Sequence, residues 1–375
     1  MSTIYIHWPY CLSKCYYCDF NSIVCNSNID YLKYCELYKN VLRKFIEQFY
    51  NNEIITSIYF GGGTPSLVDP IFVDNLLNFI YKEFKISENV EITIEANPKT
   101  IDKYKAIQFK HSGINRISIG VQSIIDADLK ILGRIHNSYD AIKCVYDISE
   151  VFDNVSIDMI YNRPDQTIED WNNELNKVLK LPIQHISIYE LIIENNTYIK
   201  YLIDNGIIES PSKNSNFMEK TIQIAKNNGF EMYEISNYVK NGTKLYSRHN
   251  LSYWNYDTYY GVGAGSHSRV SNGKNTYAIE QICNVSDWLL WAENPKFNLE
   301  LLTPDDVYIE QLIMGLRTKF GIKINKLNKN MINKYKLFDK IKVLKYNSYM
   351  IDNDSYLILT YKGMLKLNMI VEYLT

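Results

Sequence analysis

The chain has 375 residues, with 40 Lys and Arg against 42 Asp and Glu, which gives a formal net charge of −2. A hydrophobic content of 46% is enough to bury a large core, so disordered and collagen-like classes are excluded. The near-neutral charge lacks the excess of Lys and Arg that a phosphate backbone or an anionic membrane would attract, which argues against nucleic acid as a main partner.

The ends and the length of the chain carry two further expectations. Residues 1–8 contain no basic region followed by an apolar run, and no run of about 18 apolar residues occurs anywhere. We therefore expect a cytoplasmic protein without an integral membrane segment. At roughly 150 residues per domain, the length predicts one large and one small unit.

Strand and helix patterns alternate along the first half of the chain. Predicted strands rich in β-branched and aromatic residues lie at Ile4–His7, Ile55–Phe60, Val90–Glu95, Arg116–Gly120, Val155–Ile160 and His185–Tyr189. Helical patterns lie between them, one starting near Asn28 or Asp30 and others at Pro70–Phe84, Ile101–His111, Ser138–Glu150 and Thr167–Leu179. This alternation predicts an open or partial α/β barrel of parallel strands, with functional residues at their carboxyl ends.

The second half of the chain has a different pattern. A helical stretch near Asn214–Asn228 precedes a segment rich in Tyr, Gly and His, which we interpret as a covering region over residues 231–297. Residues 298–375 are predicted as a small, mostly helical C-terminal domain that begins with a helix at Asp305–Leu316. The apolar stretch Tyr356–Leu359 is expected to pair as a hairpin.

Three of the seven cysteines form a compact motif directly after the first predicted strand. Cys11, Cys15 and Cys18 have a C-x3-C-x2-C spacing, which does not look like a disulfide framework. Three thiolates on one loop can converge on one metal centre. A closed zinc site usually needs four ligands, whereas an iron–sulfur cluster can leave one iron open. A zinc site completed by a remote His remains the alternative.

The cysteine motif and its flanks resemble the radical S-adenosylmethionine superfamily. The run from Tyr5 to Cys11 and the sequence Cys18-Asp19-Phe20 are similar to the branch that contains oxygen-independent coproporphyrinogen III dehydrogenases and HemW-type haem chaperones. The resemblance covers nearly the whole chain. It implies a partial, three-quarter (β/α)6 barrel over residues 1–230, a [4Fe-4S] cluster on the three cysteines, and S-adenosylmethionine at the fourth iron.

A glycine-rich turn follows the second predicted strand. The sequence from Phe60 to Pro65 contains three consecutive glycines, which let a backbone approach a ligand closely but also suit a tight turn from strand to helix. By the resemblance, Gly62, Gly63 and Thr64 bind the methionine amino group of S-adenosylmethionine. Tyr5 matches a further binding position.

Polar residues are predicted at the ends of successive strands: Glu95, Gln122, Arg134 and Asp158. One such residue alone is typical of a solvated loop, but four indicate a shared site at the carboxyl edge of the sheet. By the resemblance, all four bind S-adenosylmethionine. Arg134 would pair with its carboxylate, and the others would bond its amino, ribose or neighbouring groups.

One loop departs from the family pattern. The family usually has Gly-x-Pro-Gly-Gln after the fifth strand, and this chain has the sequence from Asn162 to Gln166, in which Asn162 and Asp165 replace the glycines. Asn adopts the left-handed conformation readily and Asp does so less readily, so we expect a reshaped loop at Asp165.

A histidine motif lies in the segment after residue 230. An imidazole can ligate haem iron and aromatic rings can pack on a porphyrin, although a buried His among core aromatics fits the same sequence. By the resemblance, the His-Asn-x-x-Tyr-Trp motif implies haem binding by His249, Tyr253 and Trp254. His7 and His267 are lesser candidates, and we expect the other histidines to be structural or peripheral.

Three functions compete. The first is a haem chaperone that binds a cluster, S-adenosylmethionine and haem, and delivers haem to an acceptor protein. The alternative is a coproporphyrinogen III dehydrogenase-type oxidoreductase, and the third is a metal-stabilised binding module without S-adenosylmethionine. The dehydrogenase branch has a fourth cysteine where this chain has Phe20, and an N-terminal arm where four residues precede Tyr5. Both differences favour the chaperone.

The sequence leaves several properties of the favoured function open. It does not identify the acceptor, for which a respiratory protein is one candidate, or decide whether haem attachment is covalent. It also leaves open whether the chain forms a homodimer and whether S-adenosylmethionine is cleaved.

Overall fold

A twelve-stranded sheet organises the chain in a computed structural model, which describes residues 1–25, 29–212 and 216–375. The strands, numbered along the chain, are β1 (Ser2–Trp8), β2 (Tyr10–Cys11), β3 (Ile23–Val24), β4 (Ile55–Gly62), β5 (Ile86–Ala96), β6 (Arg116–Gln122), β7 (Val155–Tyr161), β8 (His185–Glu190), β9 (Phe230–Glu234), β10 (Asn237–Lys240), β11 (Thr258–Val262), β12 (His267–Ser271), β13 (Thr276–Glu280), β14 (Glu300–Leu301), β15 (Ile322–Lys323) and β16 (Tyr356–Leu357).

The six predicted strands form the centre of this sheet. They are β1, β4, β5, β6, β7 and β8, and neighbours in this order are parallel. The full order is β14-β13-β12-β11-β1-β4-β5-β6-β7-β8-β10-β9, so β14 and β9 are the edges and the sheet does not close within the described residues. The prediction of an open α/β barrel is therefore confirmed.

Helices connect the parallel strands and cover the sheet. They are α1 (Tyr31–Gln48), α2 (Pro70–Glu83), α3 (Lys103–His111), α4 (Asp126–Ile131), α5 (Ser138–Ser149), α6 (Ile168–Val178), α7 (Tyr198–Asp204), α8 (Asn216–Asn227), α9 (Arg248–Trp254), α10 (Val285–Trp291), α11 (Pro304–Gly315), α12 (Lys329–Lys334), α13 (Leu337–Tyr346), α14 (Tyr361–Met364) and α15 (Leu367–Leu374). The five helices predicted between strands are present, and α4 and α7 are additional.

Helix α1 illustrates why these segments fold as they do. Its apolar residues recur every three to four positions and are buried against the sheet, for example Leu42 and Phe45. The side chain of Asp30 accepts hydrogen bonds from the backbone N–H groups of Leu32 and Lys33, so Asp30 is the N-cap. The alternative start at Asn28 and the predicted start of α8 at Asn214 lie outside the described residues.

The segment 231–297 extends the sheet at both edges. Strands β9 and β10 follow β8, whereas β11 lies parallel to β1 on the other side, and β12 and β13 continue from it. The predicted boundary at residue 230 falls on the first residue of β9. The boundaries at 230 and 297 otherwise stay predictions.

The C-terminal residues form helices α11 to α15 and a small antiparallel sheet. The expected hairpin at Tyr356–Leu359 is present in part, because Leu359 forms an antiparallel bridge with Met350 and the Ile351 N–H donates to the Ile358 carbonyl at 2.9 Å. Strand β16 pairs with β15, more than 30 positions earlier in the chain, and helices α12 and α13 lie between them. Ile322 and Leu357, which face each other in this pairing, are both buried.

Candidate functional site

One cavity of about 420 Å³ opens at the carboxyl ends of the parallel strands. All three cysteines of the motif and seven of the eight residues predicted to bind S-adenosylmethionine line it. They are Cys11, Cys15, Cys18, Gly62, Gly63, Thr64, Glu95, Gln122, Arg134 and Asp158. The structure thus brings these residues to one cavity, at the edge where the carboxyl ends of the parallel strands meet. Their roles stay predictions.

The cysteine loop is held in place by Tyr16, which directly follows Cys15. The backbone N–H of Tyr16 donates to the Leu132 carbonyl at 3.0 Å, and the Tyr16 carbonyl accepts from the Ile199 N–H at 2.8 Å. The Tyr16 ring packs edge-on against Tyr198, with ring centroids 4.7 Å apart, and covers Gly133 so closely that a Cβ there would lie 2.5 Å from the ring. Two separate segments thus fix the loop that carries the thiols.

The three thiols are free and line the main cavity. The Thr64 hydroxyl donates to Cys11 Sγ at 3.5 Å, and Arg134 donates to Cys15 Sγ at 3.1 Å. Burial raises the pKa of the Cys11 and Cys18 thiols. In the described part of the chain, no three His, Cys, Asp or Glu side chains lie close enough to hold a single metal ion.

These thiols can serve as the ligands of an iron–sulfur cluster. In an iron–sulfur cluster each cysteine binds its own iron, so the sulfur atoms need not converge on one point. Arg134 also has a buried Nε atom without a hydrogen-bond partner among the described residues, next to the wall that carries Cys15. A positively charged donor of this kind suits an anionic group bound beside the cysteines.

Gly62 and Gly63 are required by packing. Gly62 has φ +109°, and a Cβ there would lie 2.7 Å from the His7 ring; a Cβ at Gly63 would lie 2.7 Å from the Tyr10 carbonyl oxygen. The N–H of Gly63 donates to Trp8 and that of Thr64 to Tyr10. The glycine turn therefore lies directly against the end of β1, where the cysteine loop begins.

Arg134 reaches the cavity from a different element than predicted. It is not at a strand end: it lies in the loop between α4 and α5. Its guanidinium donates to the Gly120 carbonyl at 2.7 Å and to the side chain of Asn97, which in turn donates to Thr64 at 3.0 Å. Asn97 was not predicted, although it follows Glu95 by two positions and so lies just beyond the same strand.

Two carboxyl groups line the inner part of the cavity. Tyr59 donates to Glu95 Oε1 at 2.8 Å and the Gly62 N–H donates to Oε2 at 3.1 Å, while burial raises the pKa of Glu95 to about 7. Ser118 donates to Asp158 at 3.2 Å, and burial raises the pKa of Asp158. Asp158 lies in the middle of β7 and not at its end.

Gln122 ends β6 in an uncommon backbone conformation, with φ +66°. A residue other than glycine in this region is strained, and such strain persists where the surrounding structure holds it. The Gln122 side chain lines the main cavity beside Gly120. This geometry was not predictable from the sequence.

Tyr5 lines a second, deeper cavity of about 190 Å³. Glu95, Ser118, Asp158 and Tyr189 line both cavities. The inner cavity also contains Arg116, whose Nε atom is buried without a hydrogen-bond partner in the described structure. Sequence reasoning missed Arg116 because it begins β6 and no local pattern marks it as facing inward.

His249 and Tyr253 of the histidine motif line this inner cavity, which contains none of the three cysteines, whereas Trp254 does not line it. His249 is 2% exposed. Its Nδ1 atom is hydrogen-bonded to Thr3 at 2.7 Å, and its Nε2 atom to the Tyr253 hydroxyl at 2.9 Å. Burial lowers the pKa of His249 to about 3. Trp254 lies under the guanidinium of Arg317, 4.6 Å from the ring centroid.

The loop that departs from the family pattern keeps left-handed residues at both altered positions. Asn162 has φ +57° and Asp165 has φ +60°, so Asp165 takes the left-handed conformation although Asp adopts it less readily than glycine. Between them Arg163 is 1% exposed and forms ion pairs with Glu174 and Asp128. These contacts, which the sequence did not reveal, hold the loop in place.

Comparison with protein families places the chain in a class. Residues 5–178 match the family model of the radical SAM superfamily. The parallel sheet, the C-x3-C-x2-C loop and this match define a radical S-adenosylmethionine protein.

Individual relatives identify the family within this class. A "Heme chaperone HemW" from Buchnera aphidicola subsp. Acyrthosiphon pisum (strain APS) is 40% identical over 295 residues, which cover 76% of this chain and 75% of that protein. Another, from Buchnera aphidicola subsp. Schizaphis graminum (strain Sg), is 32% identical over 381 residues, which cover 99% and 97%. The chain belongs to the HemW family.

A solved structure shares the fold. The radical SAM enzyme coproporphyrinogen III oxidase (HemN) from Escherichia coli matches 100% of this chain and 89% of its own, with a TM-score of 0.83 and 18% identity. At that identity the match concerns the fold alone. No helix in the described ranges is long and apolar enough to cross a membrane.

Proposed function

We propose that this protein is a haem chaperone that holds a [4Fe-4S] cluster and S-adenosylmethionine in its main cavity and passes haem to an acceptor protein. The observation that carries the proposal is that three free thiols, Arg134 and two half-buried carboxyl groups line one cavity in a chain of the HemW family. When bound, the cluster would offer its open iron to the amino and carboxylate groups of S-adenosylmethionine.

The residues around the cavity have distinct roles in this proposal. Cys11, Cys15 and Cys18 bind the cluster. Arg134, whose fork of N–H groups is buried beside Cys15, pairs with the ligand carboxylate, and Glu95 accepts from its amino group. Gln122 and Asp158 bond the ribose or neighbouring groups. Gly62, Gly63 and Thr64 supply backbone groups next to Glu95, and Tyr5 supports the inner wall.

Phe20 separates the proposal from the dehydrogenase alternative. It occupies the place of the fourth cysteine of that branch, lines the main cavity and is 61% exposed. An exposed aromatic ring at a cavity rim suits contact with an apolar, planar ligand. It cannot supply the thiol that the dehydrogenase branch has there.

Two assays on anaerobically reconstituted protein test the proposal. Titration with haem, followed by the Soret band, should show saturable binding. Incubation with coproporphyrinogen III, reductant and S-adenosylmethionine should yield no protoporphyrinogen. Cys15→Ala should lose the iron–sulfur absorption, whereas Cys35→Ala, which changes a buried cysteine on α1, should keep it. Protoporphyrinogen formation by the wild type but not by Cys15→Ala would establish the oxidoreductase instead.

A further inference from the structure

The predicted haem ligand His249 lies at the opposite end of the barrel from the cysteine loop. Its ring contacts Thr3 and Ser57, near the starts of β1 and β4, whereas Cys11 follows the end of β1. At about 3.3 Å per residue, the stretch from Thr3 to Trp8 separates these two levels by roughly 16 Å. A ligand on His249 would therefore lie in the inner cavity, far from the cluster loop.

The surroundings of His249 also leave little space for a porphyrin. Both ring nitrogens are hydrogen-bonded, and the ring stacks on Tyr59 with centroids 4.7 Å apart. The adjoining cavity of about 190 Å³ is smaller than the roughly 300–1,000 Å³ of pockets that hold drug-sized ligands, and polar side chains dominate its wall. Iron ligation at Nε2 would require the Tyr253 hydroxyl to move away.

His267 lies at the same end of the barrel as the cluster loop. Strand β11 is parallel to β1, with Val262 opposite Ile6, so the turn after β11 is at the carboxyl edge and β12 starts there with His267. The side chain of Asn21, three positions after Cys18, donates to the carbonyls of Ala264 and Cys283 at 2.8 and 2.9 Å. These bonds join the cluster loop directly to the two strands that flank His267.

The His267 imidazole is available to a ligand. Its side chain is 57% exposed, and its ring nitrogens make no hydrogen bond within the described structure. The carboxylate of Glu280 lies beside it, with its Oε1 atom 4.0 Å from Nε2. A carboxylate beside one ring nitrogen is the usual partner that orients an imidazole whose other nitrogen binds a metal.

The surface beside His267 matches the other needs of haem. Phe20 and Ile282, which are 61% and 38% exposed, lie next to the two ends of the Asn21 bridge and offer apolar contact. Lys14 lies against the carbonyls of Phe20 and Ser22 and supplies a cation for a propionate. The imidazole, the apolar side chains and the cation thus lie on segments that the hydrogen bonds of Asn21 join.

We propose that His267, at the rim of the barrel beside the cluster loop, is the axial ligand of the haem iron. The proposal rests on the haem chaperone function and assigns its haem site. It places haem at the mouth of the main cavity, in contact with the segment that carries Cys18 and Phe20, and leaves His249 as a structural residue of the barrel interior.

Spectroscopic titration with haem tests the assignment on the full chain with its cluster reconstituted. His267→Ala should weaken haem binding by about tenfold or more and remove the bands of imidazole-ligated haem. Added free imidazole should restore those bands. The matched control is His111→Ala, which removes an exposed imidazole at the end of α3 and should bind haem like the wild type.

Further variants separate the possible failures. His249→Gln should keep the imidazole bands, with circular dichroism and iron content confirming its fold and cluster. Three results would overturn the assignment and leave the chaperone function standing. They are unchanged haem binding by His267→Ala, loss of the imidazole bands in a folded His249→Gln protein, and loss of those bands in Cys283→Ala. Absence of haem binding by the wild type would overturn the proposed function and the assignment with it.

Discussion

Arg134 joins three parts of the site through one side chain. It contacts Cys15, Asn97 and the Gly120 carbonyl, and its Nε atom is buried without a partner in the described residues. The sequence motif identified Arg134 as a site residue but assigned it to the wrong element. Motif spacing shows which residues accompany one another, whereas the path by which a loop reaches a cavity depends on packing between distant segments.

Arg134→Ala is expected to weaken S-adenosylmethionine binding by about ten- to more than a hundredfold, because a charge-assisted hydrogen bond contributes roughly 1.5–3 kcal/mol. Calorimetry on reconstituted protein of equal iron content measures this change. Arg43→Ala, which removes a half-exposed arginine on α1, is the control and should leave the affinity unchanged. Equal dissociation constants for wild type and Arg134→Ala would exclude Arg134 from the ligand site.

Gly133 and Gly206 form a matched pair at the residue scale. Both have left-handed backbones, with φ +69° and +66°, but Gly133 lies under the Tyr16 ring, whereas no atom of the described residues lies within 4 Å of a Cβ at Gly206. Gly206→Ala should therefore lose only about 1 kcal/mol of unfolding free energy through backbone strain. Gly133→Ala should lose a further 1–3 kcal/mol or so and bind less iron, because Tyr16 must move.

Urea denaturation and iron analysis after reconstitution distinguish the two variants. If Gly133→Ala and Gly206→Ala match in both stability and iron content, the contact between Tyr16 and Gly133 does not position the cysteine loop.

At the scale of elements, the long periodic helices and the parallel strands were predictable, and the short connections were not. Helices α4 and α7 span six and seven residues, too few turns for an apolar period to stand out. Yet α4 leads into the loop that carries Arg134, and the start of α7 packs against Tyr16. The sequence thus predicted which residues line the cavity but not the short helices that position Arg134 and Tyr16.

A buried ion-pair network ties the ends of β6 and β7 to helices α4 and α6. Arg163 pairs with Glu174 and with Asp128, 2.9 Å from the latter, and Glu174 also accepts from Ser123 and from the Ile124 N–H. Arg163 also donates to the carbonyl of Gln122 at 3.4 Å. The network therefore supports the strained residue at the edge of the main cavity.

Glu174→Gln should lower the free energy of unfolding by about 3 kcal/mol, because it leaves Arg163 buried with less compensating charge. Asp204→Asn removes the acid of an exposed pair with Lys200 and should change stability by less than about 1 kcal/mol. Denaturant unfolding of both variants measures the difference. Equally small effects would mean that the buried pair adds nothing beyond an exposed one.

At the scale of the whole molecule, the order of the sheet was the part least accessible to sequence reasoning. Strand β11 lies beside β1 although more than 250 residues separate them, and the segment 231–297 supplies strands to both edges. Local sequence patterns do not show which distant strand pairs with a given edge strand of the sheet. This placement is what puts His249 at one end of the barrel and His267 at the other.

A second long-range contact joins the barrel to the C-terminal residues. The Ile235 N–H donates to the Arg317 carbonyl at 3.0 Å, and the Lys319 N–H donates to the Tyr233 carbonyl at 2.9 Å. Glu234 lies between these bonds and is fully buried. Neither its Oε2 atom nor the Nε atom of Arg317 has a hydrogen-bond partner in the described structure. Burial raises the pKa of Glu234 to about 8, and Arg317 opposes that shift.

Glu234→Gln should stabilise the protein at alkaline pH. A carboxyl group whose pKa rises from 4.5 unfolded to about 8 folded binds its proton more tightly in the folded state, so stability falls as pH rises towards 8. Gln does not titrate, and its side-chain oxygen can still accept from Asn237. The variant should therefore exceed the wild type by as much as about 4 kcal/mol at pH 9, and the difference should shrink towards zero near pH 5. Urea unfolding at both pH values measures it, and parallel pH profiles for the two proteins would show that Glu234 is not a buried, protonated acid at this junction.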